Sequence, residues 1–213
     1  MNCCQCQGIE STFNEQMAAR ELKTYRKKGA SKQTRLLIDS IKTAGVEGLT
    51  LLDIGGGVGA VQYGLLEAGV ARASDVDASS SYLKAAREES ARRGYSERIE
   101  HQHGDFVDLA EHLPSADIVT LDRVICCYHD MQALVSLSSG KAQRYYGVVY
   151  PIDAWWSRLG MAAGNVFMKL SGNPFRIFIH PSQAVEALVN ANGFQRVFYR
   201  AVGFWQVIVY ARA

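Results

Sequence analysis

The sequence predicts an α/β fold: a seven-stranded, mostly parallel sheet with an antiparallel C-terminal strand, helices on both faces and an N-terminal helical cap. Three observations support this prediction. A glycine-rich turn joins a buried strand to a helix between Leu49 and Leu66, short apolar segments then alternate with helical ones, and the chain ends in two segments of alternating polarity. Alternating strands and helices are typical of parallel sheets, and a closing hairpin adds antiparallel pairing.

Length and charge limit the functions that the chain can have. Its 213 residues suit one domain over residues 1–213 with a substantial core. Lys and Arg number 23 against 21 Asp and Glu, so the charge does not indicate a nucleic-acid partner. The sequence has no apolar run of about 18 residues and no basic, then apolar, N-terminal signal. We therefore expect a cytoplasmic protein without an integral membrane segment.

Five cysteines occur in two groups, Cys3, Cys4 and Cys6 near the N-terminus and Cys126 with Cys127 further along. Structural zinc sites use paired ligands in regular spacing, which the Cys-Cys-x-Cys pattern lacks. Disulfides are unexpected in a reducing compartment. We therefore expect no metal site, and a buried packing role for Cys126.

Two helices are predicted before the first strand, within residues 1–45. The first runs from about Thr12 to Lys28 and is mostly polar, and a Gly-Ala pair then interrupts the helical pattern. Ser31 is a suitable N-cap for the second helix, which carries its apolar residues on one stripe. We expect this segment either to cover a ligand site or to pack against the sheet.

The first strand and the turn after it predict a ligand site. The segment from Leu49 to Ile54 is almost entirely apolar, as in a strand buried on both faces, and it carries Asp53 near its end. Glycines allow a tight turn and close approach of a ligand, and the start of the next helix favours an anionic group. Strand, turn and helix form the start of a Rossmann-like nucleotide-binding unit, in which Asp53 can accept hydrogen bonds from a ligand's ammonium, directly or through water. The glycines of this turn are Gly55, Gly56, Gly57 and Gly59.

The second strand is predicted at Ala71–Val76 and leads to Asp77 and Ala78. Asp77 lies about 20 residues beyond the glycines, where a carboxylate binds the ribose hydroxyls in this architecture. Alternatively, Asp77 is the N-cap of a charged helix that we predict at Ser79–Arg93.

The third and fourth strands also end in polar residues. The third, Ile99–His103, leads to Asp105 and Phe106, which form either part of the site or a solvated turn. The fourth strand, Asp117–Leu121, points its carboxyl end toward the crevice where open α/β sheets bind ligands. The residues expected at that end are Leu121, Asp122 and Arg123.

The remaining elements complete the predicted sheet. Residues 151–175 form an insertion with a helical pattern, in which Trp155 and Trp156 either wall a site for an aromatic or lipophilic molecule or pack in the core. The other predicted elements are a helix at Asp130–Leu137, a strand at Tyr145–Tyr150, a helix at Trp155–Leu170, a helix at Ser182–Asn192, and strands at Gln195–Ala201 and Trp205–Arg212.

The whole chain resembles the class I methyltransferases that use S-adenosyl-L-methionine. Within them it is similar to the magnesium-protoporphyrin O-methyltransferase group and related small bacterial proteins. The resemblance rests on Phe13-Asn14 in the initial helices and on four stretches of sequence: LLDIGGGVG, HGDF, VTLDRVICCY and FIHPSQAVEALVNANGF.

This resemblance implies roles for the site residues. Asp53 and the glycines would hold the methionine part of the donor, and Asp77 in Val-Asp-Ala-Ser would bind its ribose. Asp105 would accept from the adenine amine, with Phe106 beside the ring. The implied activity is methyl transfer to a small-molecule acceptor, most simply at oxygen, with S-adenosylhomocysteine as the product.

Two other functions remain open from the residues alone. Gly55, Gly57 and Ala60 also satisfy the fingerprint of NAD(P)-dependent oxidoreductases, although the N-terminal helices and the closing hairpin favour a methyltransferase. A non-catalytic nucleoside-binding module is the third possibility, because no base is unmistakable. The candidate catalytic bases are His180, Tyr128 and His129.

Overall fold

A computed structural model describes residues 4–170, 172 and 175–213, without the side chains of residues 4–7 and of Phe167. One seven-stranded sheet forms the centre of the molecule. Its strands are β1 (Thr50–Ile54), β2 (Arg72–Asp77), β3 (Ile99–His103), β4 (Ala116–Asp122), β5 (Ala142–Pro151), β6 (Phe194–Val202) and β7 (Trp205–Arg212).

Helices precede the sheet and connect its strands. Two short 3₁₀ turns, at Ser96–Arg98 and Ile125–Cys127, accompany them. The helices of the described residues are α1 (Cys4–Thr12), α2 (Glu15–Lys28), α3 (Lys32–Lys42), α4 (Ala60–Glu67), α5 (Ser80–Arg92), α6 (Phe106–Leu109), α7 (Met131–Lys141), α8 (Trp155–Leu170) and α9 (Ser182–Ala191).

The strand order is β3-β2-β1-β4-β5-β7-β6. Strands β1 to β5 pair in parallel, whereas β7 is antiparallel to both β5 and β6. The order reverses between β1 and β4, and such a reversal opens a crevice at the carboxyl ends of the strands. The predicted fold class is confirmed, including the antiparallel C-terminal strand.

The central strands of the sheet are covered on both faces, whereas the edge strand β6 is mostly exposed. Leu37 and Ile41 of α3 pack on one face together with Leu65 of α4. Leu134 of α7 and Val189 of α9 belong to the cluster on the other face. Strand β1 is buried from Leu51 onward, as its apolar sequence predicts.

The N-terminal segment differs from the prediction in one respect. A single helix was expected from about Thr12 to Lys28, but α1 ends at Thr12 and α2 begins after Asn14. The Asn14 side chain caps α2 by accepting a hydrogen bond from the Met17 amide at 3.1 Å. Asn is among the preferred N-cap residues, so a new helix starts here.

The described part of the chain has no helix with the length and hydropathy of a membrane span. Cys3 lies outside the described residues, and the side chains of Cys4 and Cys6 are not described. The expectation about a metal at these cysteines therefore stays a prediction. Cys126 is 3% exposed, which confirms its expected buried position.

Candidate active site

A cavity opens at the carboxyl ends of β1, β2 and β4, and the N-terminal helices cover it. Helices α1 and α2 and the junction between them lie across the strand ends, so the cap forms one wall. The lining includes Ile9, Phe13, Glu21, Ile54, Gly55, Gly57, Val76, Asp77, Ala78, Tyr82, Gly104, Asp105, Phe106, Asp122, Arg123, Val124, Cys127 and Tyr128.

The glycine turn needs its glycines for two physical reasons. Gly55 has a φ of +65°, a backbone conformation that residues other than glycine rarely adopt. Gly56 lies so close to the side chains beneath it that an added Cβ would be less than 3.0 Å from Gln62, Asp75 and Asp53. The turn is therefore packed from below and open above, where the cavity lies.

Asp77 connects the end of β2 to this turn. Its carboxylate accepts hydrogen bonds from the Gly57 amide at 3.0 Å and from the Ser79 amide at 2.8 Å. Burial, with a contribution from Asp75, raises the pKa of Asp77 to about 7. The N-cap of α5 is Ser79 and not Asp77, since the Ser79 hydroxyl accepts a hydrogen bond from the Tyr82 amide. The Asp77 carboxylate therefore faces the cavity.

Asp53 supports the turn from below. It is 1% exposed, and its carboxylate accepts from Thr120 at 2.6 Å and from Gln62 at 3.2 Å. Burial and the neighbouring Asp75 raise its pKa well above the usual range. Asp53 does not line the cavity, because its carboxylate is enclosed by side chains, and the hydrogen bond to a ligand that was expected directly or through water stays a prediction.

Asp105 and Tyr128 form a hydrogen-bonded pair in the cavity wall. The Tyr128 hydroxyl donates to the Asp105 carboxylate at 2.9 Å. Asp105 also caps the short helix α6 by accepting from the Val107 amide at 2.9 Å. These bonds orient the carboxylate beside Phe106, at the end of β3.

A polar network joins the cap to the end of β4. Glu21 of α2 accepts from the Tyr82 hydroxyl at 2.6 Å and lies 3.5 Å from the Arg123 guanidinium. Asp122 accepts from Thr34 of α3 at 2.6 Å. Arg123 has a φ of +64°, a conformation that costs roughly 1–2 kcal/mol outside glycine. Arg123 is also held by Asp122 at 3.3 Å and by a hydrogen bond from its amide to the Val149 carbonyl at 2.8 Å, and a strained residue fixed in this way is typical of a functional site.

The two candidate histidines lie behind the wall. Among the described residues that line the cavity, neither His129 nor His180 is found. His129 stacks on Tyr128 with ring centroids 5.2 Å apart. His180 lies 3.0 Å from the Tyr128 carbonyl, and burial lowers its pKa. Of the three predicted bases, Tyr128 alone reaches the cavity.

The structure brings together most of the predicted donor-site residues. Gly55, Gly57, Asp77, Ala78, Asp105, Phe106, Asp122 and Arg123 line the cavity together. Gly56, Gly59 and Leu121 do not; Leu121 is a fully buried core residue.

Sequence reasoning expected the N-terminal segment either to cover a ligand site or to pack against the sheet, but it did not identify the residues that would line the cavity there. Phe13 served only for the family resemblance, and Glu21 and Tyr82 were not identified as site residues. Their signal was indirect: Phe13 precedes the helix break, and its carbonyl accepts from the Ser79 hydroxyl at 2.6 Å, next to the end of β2. Only the fold places these three residues against the strand ends.

Charge in the lining favours a cationic ligand. Four carboxyl groups line the cavity, from Glu21, Asp77, Asp105 and Asp122, against the one guanidinium of Arg123 among the described residues. An anionic diphosphate would be repelled by such a wall, whereas an ammonium or sulfonium would be attracted.

Comparison with known families decides between the candidate functions. A family model described as the O-methyltransferase domain matches residues 5–153, which is more than two thirds of the chain. The chain belongs to this family. As a member it is an S-adenosyl-L-methionine-dependent methyltransferase, which confirms the predicted enzyme class and cofactor. The oxidoreductase alternative is set aside.

Solved structures agree with the fold of this O-methyltransferase family member. Magnesium protoporphyrin IX methyltransferase from Synechocystis PCC 6803 with bound SAH is 20% identical, with a TM-score of 0.73 and coverage of 98% of this chain and 100% of that chain. An O-methyltransferase family protein from Burkholderia thailandensis is 17% identical, with a TM-score of 0.67 and coverage of 84% and 56%. No curated protein shows significant sequence similarity to the chain.

Proposed function

We propose that the cavity binds S-adenosyl-L-methionine and that the chain, as one methyltransferase domain, methylates an oxygen of a small acceptor. The observation that carries this proposal is the Asp77 carboxylate, tied to the glycine turn at 3.0 Å in a wall rich in carboxyl groups. In this assignment Asp77 accepts from the ribose hydroxyls, and Asp105 with Phe106 holds the adenine. Asp122 and Glu21 lie where positive charge of the donor would be stabilised.

The donor fits the residues present better than NAD does. A nucleoside needs a carboxylate at the end of β2, and both architectures supply one. The two ligands differ in charge, since the donor is a sulfonium with an ammonium whereas NAD carries a diphosphate. Four carboxyl groups against one guanidinium in the described lining favour the cation.

S-adenosyl-L-methionine, when bound, supplies a methyl group that its sulfonium activates for in-line displacement. The protein's contribution is to hold an acceptor oxygen near attack distance and to exclude water. Positioning of this kind is worth up to about 7–11 kcal/mol in favourable cases. Ile9 and Phe13 of the cap provide the apolar cover that keeps water out.

The acceptor lies between the cap and the end of β4 in this proposal. Phe13, Val124 and Cys127 offer apolar surface there, which suits an aromatic or lipophilic molecule. Tyr128 is the assigned proton-handling residue, because it alone of the three predicted bases lines the cavity, and its hydroxyl is oriented by Asp105. His129 and His180 are assigned a positioning role through their contacts with Tyr128. The cytoplasm remains the expected compartment.

Isothermal titration tests the donor assignment. We expect S-adenosylhomocysteine to bind with a micromolar or lower Kd and NADH to give no heat, and the reverse result would contradict the proposal. Transfer of a tritiated methyl group to a panel of phenols, carboxylic acids and lipophilic alcohols then tests catalysis. Donor binding without transfer to any member would favour the non-catalytic nucleoside-binding module instead.

A further inference from the structure

Helix α8 leaves most of its large apolar side chains exposed, unlike an ordinary surface helix. Its side toward the protein is formed by Ser157, Met161, Asn165 and Met168, which recur at helical spacing and are buried or half-buried. Asn165 anchors this side through hydrogen bonds to the Ile177 carbonyl at 2.7 Å and from the Ile177 amide at 2.9 Å. This inward side is mixed, with two methionines beside Ser157 and Asn165, so the inward packing leaves the Trp, Leu and Val side chains of the helix outside.

The outward side of α8 is apolar. Trp155 is 77% exposed, Leu159 66%, Val166 58% and Leu170 82%, and Trp156 borders them at 44%. At about 100° per residue the first four project within one narrow stripe, which extends roughly 22 Å along the helix. Exposed apolar residues on one face of a helix indicate a surface that binds a membrane or another molecule.

The charged residues of α8 indicate what binds to this apolar surface. The helix contains no Asp or Glu, and its two cations, Arg158 and Lys169, are exposed. They are eleven residues apart, about three turns, so both flank the same edge of the stripe. Arg158 also pairs with Asp153 at 2.7 Å, whereas Lys169 has no ion-pair partner among the described residues. Trp and Leu on one face with flanking cations are typical of helices that lie in a membrane interface.

A second copy of the chain fits this surface less well. A stripe roughly 22 Å long on a helix about 10 Å wide offers roughly 220 Å², far below the about 800 Å² per partner of a stable protein interface. A bilayer accepts a single helix without a complementary partner surface.

We infer that α8 docks on a lipid bilayer containing anionic lipids, with Trp155, Leu159, Val166 and Leu170 in the interface and Lys169 at the headgroups. Phe175, the first residue described after Gly172, packs its ring 5.4 Å from that of Phe13, which lines the cavity. Docking would thus place the cap side of the site near the membrane surface, where a lipophilic acceptor partitions. The docking itself does not depend on the proposed function.

Flotation of the full chain with lipid vesicles tests the inference. We expect binding to vesicles of phosphatidylcholine and phosphatidylglycerol at about 3:1, and weaker binding to phosphatidylcholine alone. The double variant Leu159→Glu and Val166→Glu should bind at least about tenfold more weakly. The matched control, Val197→Glu and Tyr199→Glu, changes two exposed apolar residues of β6 and should bind like the wild type. Lys169→Glu should reduce binding to the anionic vesicles only.

Three results would overturn the inference. They are wild-type protein that floats with neither vesicle, equal binding of the wild type and the α8 double variant, and a wild-type dimer in sedimentation that Leu159→Glu dissociates. The last would make a second copy the occupant of the surface. Titration of the same preparations with S-adenosylhomocysteine reports on the donor site separately, so failure of docking and failure of the proposed function are distinguishable.

Discussion

Asp77 and Gly57 are twenty residues apart in sequence and are joined by a 3.0 Å hydrogen bond from the Gly57 amide to the Asp77 carboxylate. This bond links the carboxyl end of β2 to the turn after β1, and both residues line the cavity. The carboxylate therefore both holds the turn and faces the cavity.

Replacement of Asp77 should weaken donor binding. Asp77→Ala removes the acceptor for the ribose hydroxyls, so we expect the Kd of S-adenosylhomocysteine to rise by about one to two decades. Isothermal titration measures this directly. Asp39→Ala, at an exposed position of α3, serves as the control and should leave the Kd unchanged. An unaltered Kd in Asp77→Ala would show that the ribose lies elsewhere.

Donor binding should also depend on pH through Asp77. Its pKa is raised to about 7, so the carboxyl is largely protonated at pH 5.5 and ionised at pH 8. Because the ionised form accepts two hydroxyl hydrogen bonds, affinity for S-adenosylhomocysteine should increase as the pH rises through about 7. The Asp77→Asn variant should lose this dependence. A wild-type affinity that falls or stays constant over the range would contradict the assignment.

Variants of Tyr128 and His129 distinguish the proposed catalytic residue, Tyr128, from the histidine that stacks on it. Tyr128→Phe should lower kcat by about a hundredfold with the acceptor that the panel identifies, because it removes the only predicted base in the cavity lining. His129→Asn should keep kcat within about threefold, since its ring stacks behind Tyr128. Transfer of tritiated methyl groups measures both variants, and the opposite ranking would reverse the roles.

Glu89 should contribute to stability in a pH-dependent way. This fully buried carboxylate of α5 pairs with Arg92 at 2.6 Å, Arg93 at 2.8 Å and Arg26 of α2 at 2.8 Å. The hydrogen bond from Arg92 is the largest cause that lowers the pKa of Glu89 to about 2. Because the folded pKa lies below the unfolded value, the stabilisation is present above about pH 4.5 and is lost as the pH falls toward 2.

Urea denaturation at pH 7 measures that contribution. Glu89→Ala should lower the free energy of unfolding by about 2–3 kcal/mol, because three guanidinium groups lose their shared partner. Glu88→Ala, at the exposed neighbouring position, should change it by less than about 0.5 kcal/mol. Equal effects of the two variants would mean that the cluster is not stabilising.

The strands could be predicted from the sequence because their residues alone carry the signal. Apolar runs and segments of alternating polarity, bounded by turn residues, located the strands to within a few positions, and Ile99–His103 and Trp205–Arg212 were located without error. The helix break at Asn14 had a local signal that was overlooked, an N-cap residue followed by Glu15 in the first turn.

Other features depend on contacts between distant segments. Glu21 and Tyr82 are 61 residues apart, and nothing local indicates that they meet at the cavity. The periodicity of Trp155–Leu170 predicted a helix correctly, but periodicity does not tell which side faces the protein. The apolar side was expected against a substrate or the core, yet it faces outward. Likewise, no local signal showed that Asp53 is enclosed, because the side chains that enclose it come from α4, β2 and β4.

The crystal structure of the protein with S-adenosylhomocysteine is the most direct test of the donor site. The account predicts the ribose hydroxyls within hydrogen-bonding distance of the Asp77 carboxylate, and the adenine beside Asp105 and Phe106. An empty cavity with the nucleoside bound elsewhere, or a ribose more than about 4 Å from Asp77, would contradict it.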